Sequence, residues 1–170
     1  MAYFFIITAV ILRILPHAPN FAPIAAMALF GGTYLNKKYA LLVPLAAMFI
    51  SDYFIGFYDL KLEFTVWGSF LLVGLIGLWL RKHKNLRNII GATLLGSVLF
   101  FIVTNFTVWA FSSWYPRTIQ GLVQCYIMAI PFFRNTILGD LFYVGILFGS
   151  YEIVLYLVKN KRYLQYLKKY

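Results

Sequence analysis

Charged residues in this chain are too sparse, and too segregated, for it to fold in water. From Phe64 to Leu80, and again from Ile89 to Phe111, there is no Lys, Arg, Asp or Glu. Hydrophobic residues make up 62% of the 170 and charged residues 12%, against roughly 45–50% and about 25% in an ordinary soluble domain. Too little polar surface remains to cover an apolar interior, so lipid must cover it. At about 20 residues per span, the length accommodates about six helices with short connections. Residues 1–170 are therefore read as a single all-α transmembrane domain.

The apolar runs follow in order. The first, Ala2 to Leu15, ends at Pro16; it has no basic n-region, so it reads as a helix rather than a cleaved leader. After the loop Pro16–Phe21 comes Ala22 to Leu35, with Pro23 suited to a first helical turn. The third run is Tyr39 to Phe57, with Pro44 expected as a kink. Asp59 to Glu63 reads as a polar turn before Phe64 to Leu80. Ile89 to Phe111 is followed by a long connection, Ser112 to Arg134, whose apolar stretch Ile119 to Phe133 is expected as a short surface helix. The last run is Thr136 to Val158. The first two runs are short for a span, which places them beside a cavity or thinned region.

Charge sets the orientation. With the N-terminus inside, the inner segments Asn36–Lys38, Arg81–Asn88 and the tail from Lys159 hold eleven of the fifteen basic residues. Only Arg13, Lys61, Arg117 and Arg134 fall on the outer half. The positive-inside rule then gives both termini to the cytoplasm. The net charge of +10 is thereby a membrane signal, and no nucleic-acid partner is expected.

The outer half gathers the residues that can carry chemistry. Candidate ligand contacts are His17, Asn20, Asp52, Asn105, Trp109, Gln124, Asn135 and Asp140. Asp52 and Asp140 lie within apolar runs, where a mid-bilayer charge costs ~2.5–3.5 kcal/mol and must face the bundle interior or a wet cavity. Each has a structural reading, Asp52 paired with Arg13 and Asp140 with Arg134, and a functional one as part of a ligand or ion site. Phe101, Asn105, Trp109 and Ser112 form one helical stripe that suits an amphipathic ring compound, or equally an interhelical contact. His17 is a loop histidine that would need Asp52 as co-ligand to hold zinc. The single cysteine, Cys125, excludes an intramolecular disulfide framework and reads as an apolar filler. Ala25, Ala28 and Gly32 make a small-residue stripe for tight packing or for docking a partner subunit, while Gly68, Gly74 and Gly77 read as packing. No nucleophile–base pair, phosphate loop or metal-binding spacing is present in the sequence, so neither catalysis nor a cofactor is expected.

Two stretches carry a resemblance. One is Arg13-Ile-Leu-Pro16-His17-Ala-Pro19-Asn20-Phe-Ala-Pro23 with Met27-Ala-Leu-Phe-Gly31-Gly32. The other runs from Thr104-Asn105-Phe and Trp109 through Tyr115-Pro116, Gly121 to Tyr126 and Ile130-Pro131 to Asn135-Thr136, Gly139-Asp140 and Leu147-Phe-Gly149. With Ser51-Asp52, they look like a bacterial membrane family that resembles the substrate-binding S components of energy-coupling factor (ECF) transporters. The resemblance implies a six-helix bundle that captures a vitamin or related micronutrient from outside. It implies a lid at His17 to Phe21 and pocket walls at Asn105, Trp109 and Asp140. Its implied partners are a transmembrane coupling subunit and two cytoplasmic ATPases, so the chain itself hydrolyses nothing. S components often dock through small-xxx-small spacing on the first helix; Thr8 to Arg13 lacks it. The alternatives are therefore a solitary uptake facilitator, and a membrane scaffold or assembly protein without a small ligand.

Overall fold

The computed structural model describes residues 1–57 and 59–167, with side chains to Asn160. Lys161, Arg162, Lys168 and Lys169 of the basic tail lie outside the described side chains. Among the described residues there are six helices and no strand: α1 (Ala2–Ile14), α2 (Ile24–Tyr34), α3 (Leu42–Ile55), α4 (Leu60–Leu80), α5 (Leu86–Phe111) and α6 (Ile119–Leu167).

Local chemistry sets the ends. Leu15 is extended ahead of Pro16, as the proline ring demands of its predecessor, and α1 stops there. Asp59 caps α4 by accepting from the Lys61 amide, and Asn85 caps α5 by accepting from that of Asn88. The expected polar turn Asp59–Glu63 is thus largely the first turn of α4. Pro44 produces no mid-helix kink: α3 begins at Leu42, so Pro44 sits in a first turn, where its missing N–H has no intrahelical partner to lose. α3 ends at Gly56, whose φ of 106° is open to glycine.

The expected surface helix before the last span is not a separate element. Ile119 to Phe133 is the first part of α6, which continues through Pro131 for 49 residues, about 74 Å at 1.5 Å per residue. Its register against α5 is uneven. Asp140 meets Ser97, while Tyr126, fourteen residues earlier, donates to the carbonyl of Ile102, only five residues further along α5. Antiparallel helices side by side would advance together, so α6 crosses α5 obliquely here while staying in contact through Phe133, Tyr126 and Cys125. Pro131 lies between Tyr126 and Asp140 and removes one helical hydrogen bond there.

α2 is the axis of the bundle. Every residue from Ala25 to Thr33 is buried, as befits a helix apolar on all sides. It meets α4 through glycine: a Cβ on Gly32 would lie 2.8 Å from Cα of Gly77, and one on Gly77 would lie 2.5 Å from the Leu29 carbonyl oxygen. Thr33 donates across the same seam to Gly77 O at 3.2 Å. The carbonyl end of α2 is capped by Arg81 of α4, which donates to Gly32 O at 2.7 Å and also to Leu35 O. The Ala25, Ala28 and Gly32 stripe is therefore interior. All three are buried within the chain, and the surface they would offer a partner subunit is taken by α4 and by a cavity. Gly74 and Gly77 are packing glycines, but Gly68 meets nothing within 4 Å.

α4, α5 and the Ile119–Asn160 part of α6 are long and apolar enough to cross a membrane, and their most apolar windows are only 39%, 28% and 22% buried. Such uncovered apolar surface suggests a membrane protein. α1, α2 and α3 are shorter apolar helices. One end of the bundle gathers Lys84, which pairs with Glu152, and Tyr34, which donates to Glu152 at 2.5 Å. Arg81 sits at that end too, on the α2 carbonyls.

Candidate functional site

Because α2 is only 11 residues long, about 16 Å, it fills one half of the bundle axis and leaves the other half open. Above its first turn lies a cavity of about 600 Å³, within the range of about 300–1,000 Å³ usual for small-molecule sites. Ile24 and Ala25 form its base, and no side chain caps the helix there. α4 and α5 supply Val66, Phe70, Phe100, Phe101, Thr104 and Asn105; α6 supplies Cys125, Phe133, Thr136 and Asp140. The first loop contributes Leu15 to His17 and Asn20, and the α5–α6 loop contributes Trp114 and Tyr115.

Beside the cavity is a closed polar cluster. The Arg13 guanidinium donates to Asp52 Oδ1 at 2.5 Å, to the Met48 carbonyl at 3.1 Å and to the Ser51 hydroxyl. Trp67 Nε1 donates to the other Asp52 oxygen at 3.1 Å. Arg13 and Asp52 are 3% and 0% exposed, so each neutralises the other where water cannot. Of the two structural pairings read from the sequence, this one forms. Asp52 itself does not line the cavity.

Asp140 has no such partner. Arg134 is exposed and does not reach it; Ser97 of α5 donates to Asp140 Oδ2 at 2.6 Å. No basic residue pairs with Asp140 among the described residues.

The remaining sequence candidates divide. His17, Asn20 and Asn105 reach the cavity with Asp140. The two ring nitrogens of His17 lie 3.1 Å from the carbonyls of Ala18 and Arg13, so the ring also ties the loop to the end of α1. No group of three His, Cys, Asp or Glu that could hold a metal occurs among the described residues, and Asp52, the co-ligand His17 would need for zinc, is committed to Arg13 and Trp67. Asn105 donates to Phe101 O at 2.8 Å. Asn135 lies outside the cavity but donates to Pro19 O at 3.0 Å, holding the loop down. Trp109 is turned away, its Nε1 donating to Pro116 O at 3.1 Å and its carbonyl accepting from Arg117. Gln124 is exposed and takes no part.

The first loop crosses α6 at Gly139, where an added Cβ would stand 3.0 Å from Cα of Phe21. Glycine here lets the loop lie close, with the Phe21 ring against Phe142 and Tyr143 at 5.7 and 5.5 Å. Asn20, at φ 60°, makes the turn, a conformation its short polar side chain tolerates. Reading the sequence missed Ser97, Thr104, Thr136 and two stacked phenylalanine pairs, Phe70–Phe100 at 5.1 Å and Phe101–Phe133 at 4.4 Å. Among 17 phenylalanines, nothing in the linear pattern singles those pairs out.

Comparison with curated proteins and with solved structures gives no match, so the resemblance to S components rests on the two sequence stretches alone. Residues 1–165 match DUF6580, a family of unknown function, and the chain belongs to that family.

Proposed function

We propose that the protein is a membrane-embedded substrate-binding subunit, similar to the S components of ECF transporters, that takes up a vitamin or related micronutrient from the outer face of a bacterial inner membrane. The observation that carries this reading is the cavity: about 600 Å³, walled by phenylalanine, edged by His17, Asn20, Asn105 and Asp140, and bordered by two loops. Those loops lie at the end of the bundle opposite the basic turns. By the positive-inside rule the Arg81–Asn88 turn is cytoplasmic, both termini are cytoplasmic, and the loops face out. Six helices then cross the membrane in alternation. The three short ones are accommodated because non-helical backbone is tolerated at depth where it lines a cavity. The chain supplies capture, and the energy comes from a coupling subunit and two ATPases.

A thermal-shift screen of detergent-purified protein over vitamins, their precursors, cobalamin-like compounds and modified nucleobases tests the reading. A ligand at 100 times its dissociation constant adds ~2.7 kcal/mol of stability. A stabilising compound supports capture; the absence of any stabilising compound counts against it.

One observation favours a second reading, a solitary uptake protein. The stripe Ala25, Ala28 and Gly32 is occupied within the chain, and Thr8 to Arg13 of α1 lacks small-xxx-small spacing. Co-purification of ATPases supports the first reading; uptake in cells lacking them supports the second.

A further inference from the structure

We propose that the cavity takes an aromatic small molecule carrying one positively charged nitrogen, with the charge beside Asp140 and the rings against the phenylalanine pairs. This rests on the cavity being a ligand site and names the chemistry of what enters it.

The charge inventory leads to a cation. Of the Lys, Arg, Asp and Glu side chains, Arg13 and Asp140 line the cavity. Arg13 is neutralised by Asp52 at 2.5 Å and also donates to Ser51 and the Met48 carbonyl, so it presents little net charge to an anion. Asp140 is 3% exposed and is held by a single hydroxyl, Ser97 Oγ. A buried carboxylate in that position needs a counter-charge or a proton. The open first turn of α2 offers at most about half a charge, and no lysine or arginine pairs with Asp140 among the described residues. A ligand cation completes the site. An anion is repelled, and a neutral molecule leaves the carboxylate as it was.

Size and walls lead to an organic ring compound. A volume of about 600 Å³ far exceeds a bare metal ion, and no three-ligand metal group is present among the described residues. The Phe70–Phe100 and Phe101–Phe133 pairs stack at interplanar angles of 26° and 29°, offering flat, electron-rich faces that attract both rings and cations.

Three tricyclic probes of one shape and different charge test this on the full chain in a neutral detergent: 9-aminoacridine (cation), acridine (neutral at pH 7.5) and acridine-9-carboxylate (anion). The wild type is expected to bind 9-aminoacridine at least tenfold more tightly than acridine, and the carboxylate least. Asp140→Asn should erase that preference while still binding acridine. Ser97→Ala, which removes the hydroxyl that favours the charged carboxylate, should weaken binding of the cation more than binding of acridine. If Asp140→Asn does not fold, the wild-type preference and the Ser97→Ala loss decide. Equal binding of all three probes overturns the cation inference and leaves the ligand site standing. Equal binding of 9-aminoacridine by Asp140→Asn does the same. Failure of all three to bind overturns the ligand-site reading along with it.

Discussion

Arg13 is the residue that ties together the cavity half of the bundle. It joins α1 to α3 through Asp52, Ser51 and the Met48 carbonyl, all out of reach of water. Removing one member of a buried ion pair leaves the other charge stranded, at a cost of about 3–5 kcal/mol. Arg13→Ala should therefore lower the unfolding temperature in detergent sharply, and Arg13→Leu combined with Asp52→Leu should recover much of the loss. The glycines make a second pair of contrasts. Gly32→Ala forces a methyl group into the α4 backbone, beside Gly77, an overpacking worth about 1–3 kcal/mol. Gly68→Ala meets open space and should change stability by no more than about 0.5 kcal/mol in the unfavourable direction. Thermal unfolding of the two variants side by side checks this. From the sequence, Gly68 and Gly77 look alike; only the neighbouring helix separates them.

At the scale of elements, the first loop lies over the site and is tied to α6. Asn135 holds it from α6 through one hydrogen bond to Pro19 O at 3.0 Å. Such a bond contributes about 1 kcal/mol net, a factor of about five in a local opening equilibrium. Asn135→Ala should raise amide hydrogen exchange over residues 15–22 by about that factor while leaving α4 and α5 unchanged. Exchange spread evenly over the chain would instead mean that Asn135 supports the whole bundle. The tryptophans divide in a similar way. Trp114 lines the cavity whereas Trp109 is pinned to the loop beyond it. A ligand-induced fluorescence change should therefore vanish in Trp114→Phe and persist in Trp109→Phe. Of the stripe Phe101, Asn105, Trp109 and Ser112, the first two line the cavity and the last two do not. Helical periodicity places those residues on one face, but it does not say where the cavity ends along that face. α6 teaches the same limit. Arg134-Asn135 divides the expected surface helix from the last run in the sequence, yet the helix runs on through it, and α5 bonds α6 on both sides.

At the scale of the molecule, the proposed topology makes a direct prediction. Single cysteines placed in the Arg81–Asn88 turn of a Cys125→Ala background should resist a membrane-impermeant thiol reagent in intact cells. Cysteines in the Ser112–Thr118 loop should react. The reverse pattern would invert the bundle and put the cavity on the cytoplasmic side. Separation of charge along the chain is what leads the sequence to this expected arrangement. Basic turns and apolar runs are local properties, set by what water and lipid each solvate, and their order fixes which helix ends share a side. The cavity, the occupied small-residue stripe and the pairing of Asp140 with Ser97, 43 residues away, were decided by tertiary structure. They depend on how far the short α2 reaches along the axis and which side chains of five neighbouring helices meet above it. Those are distances in space, and no spacing along the chain encodes them.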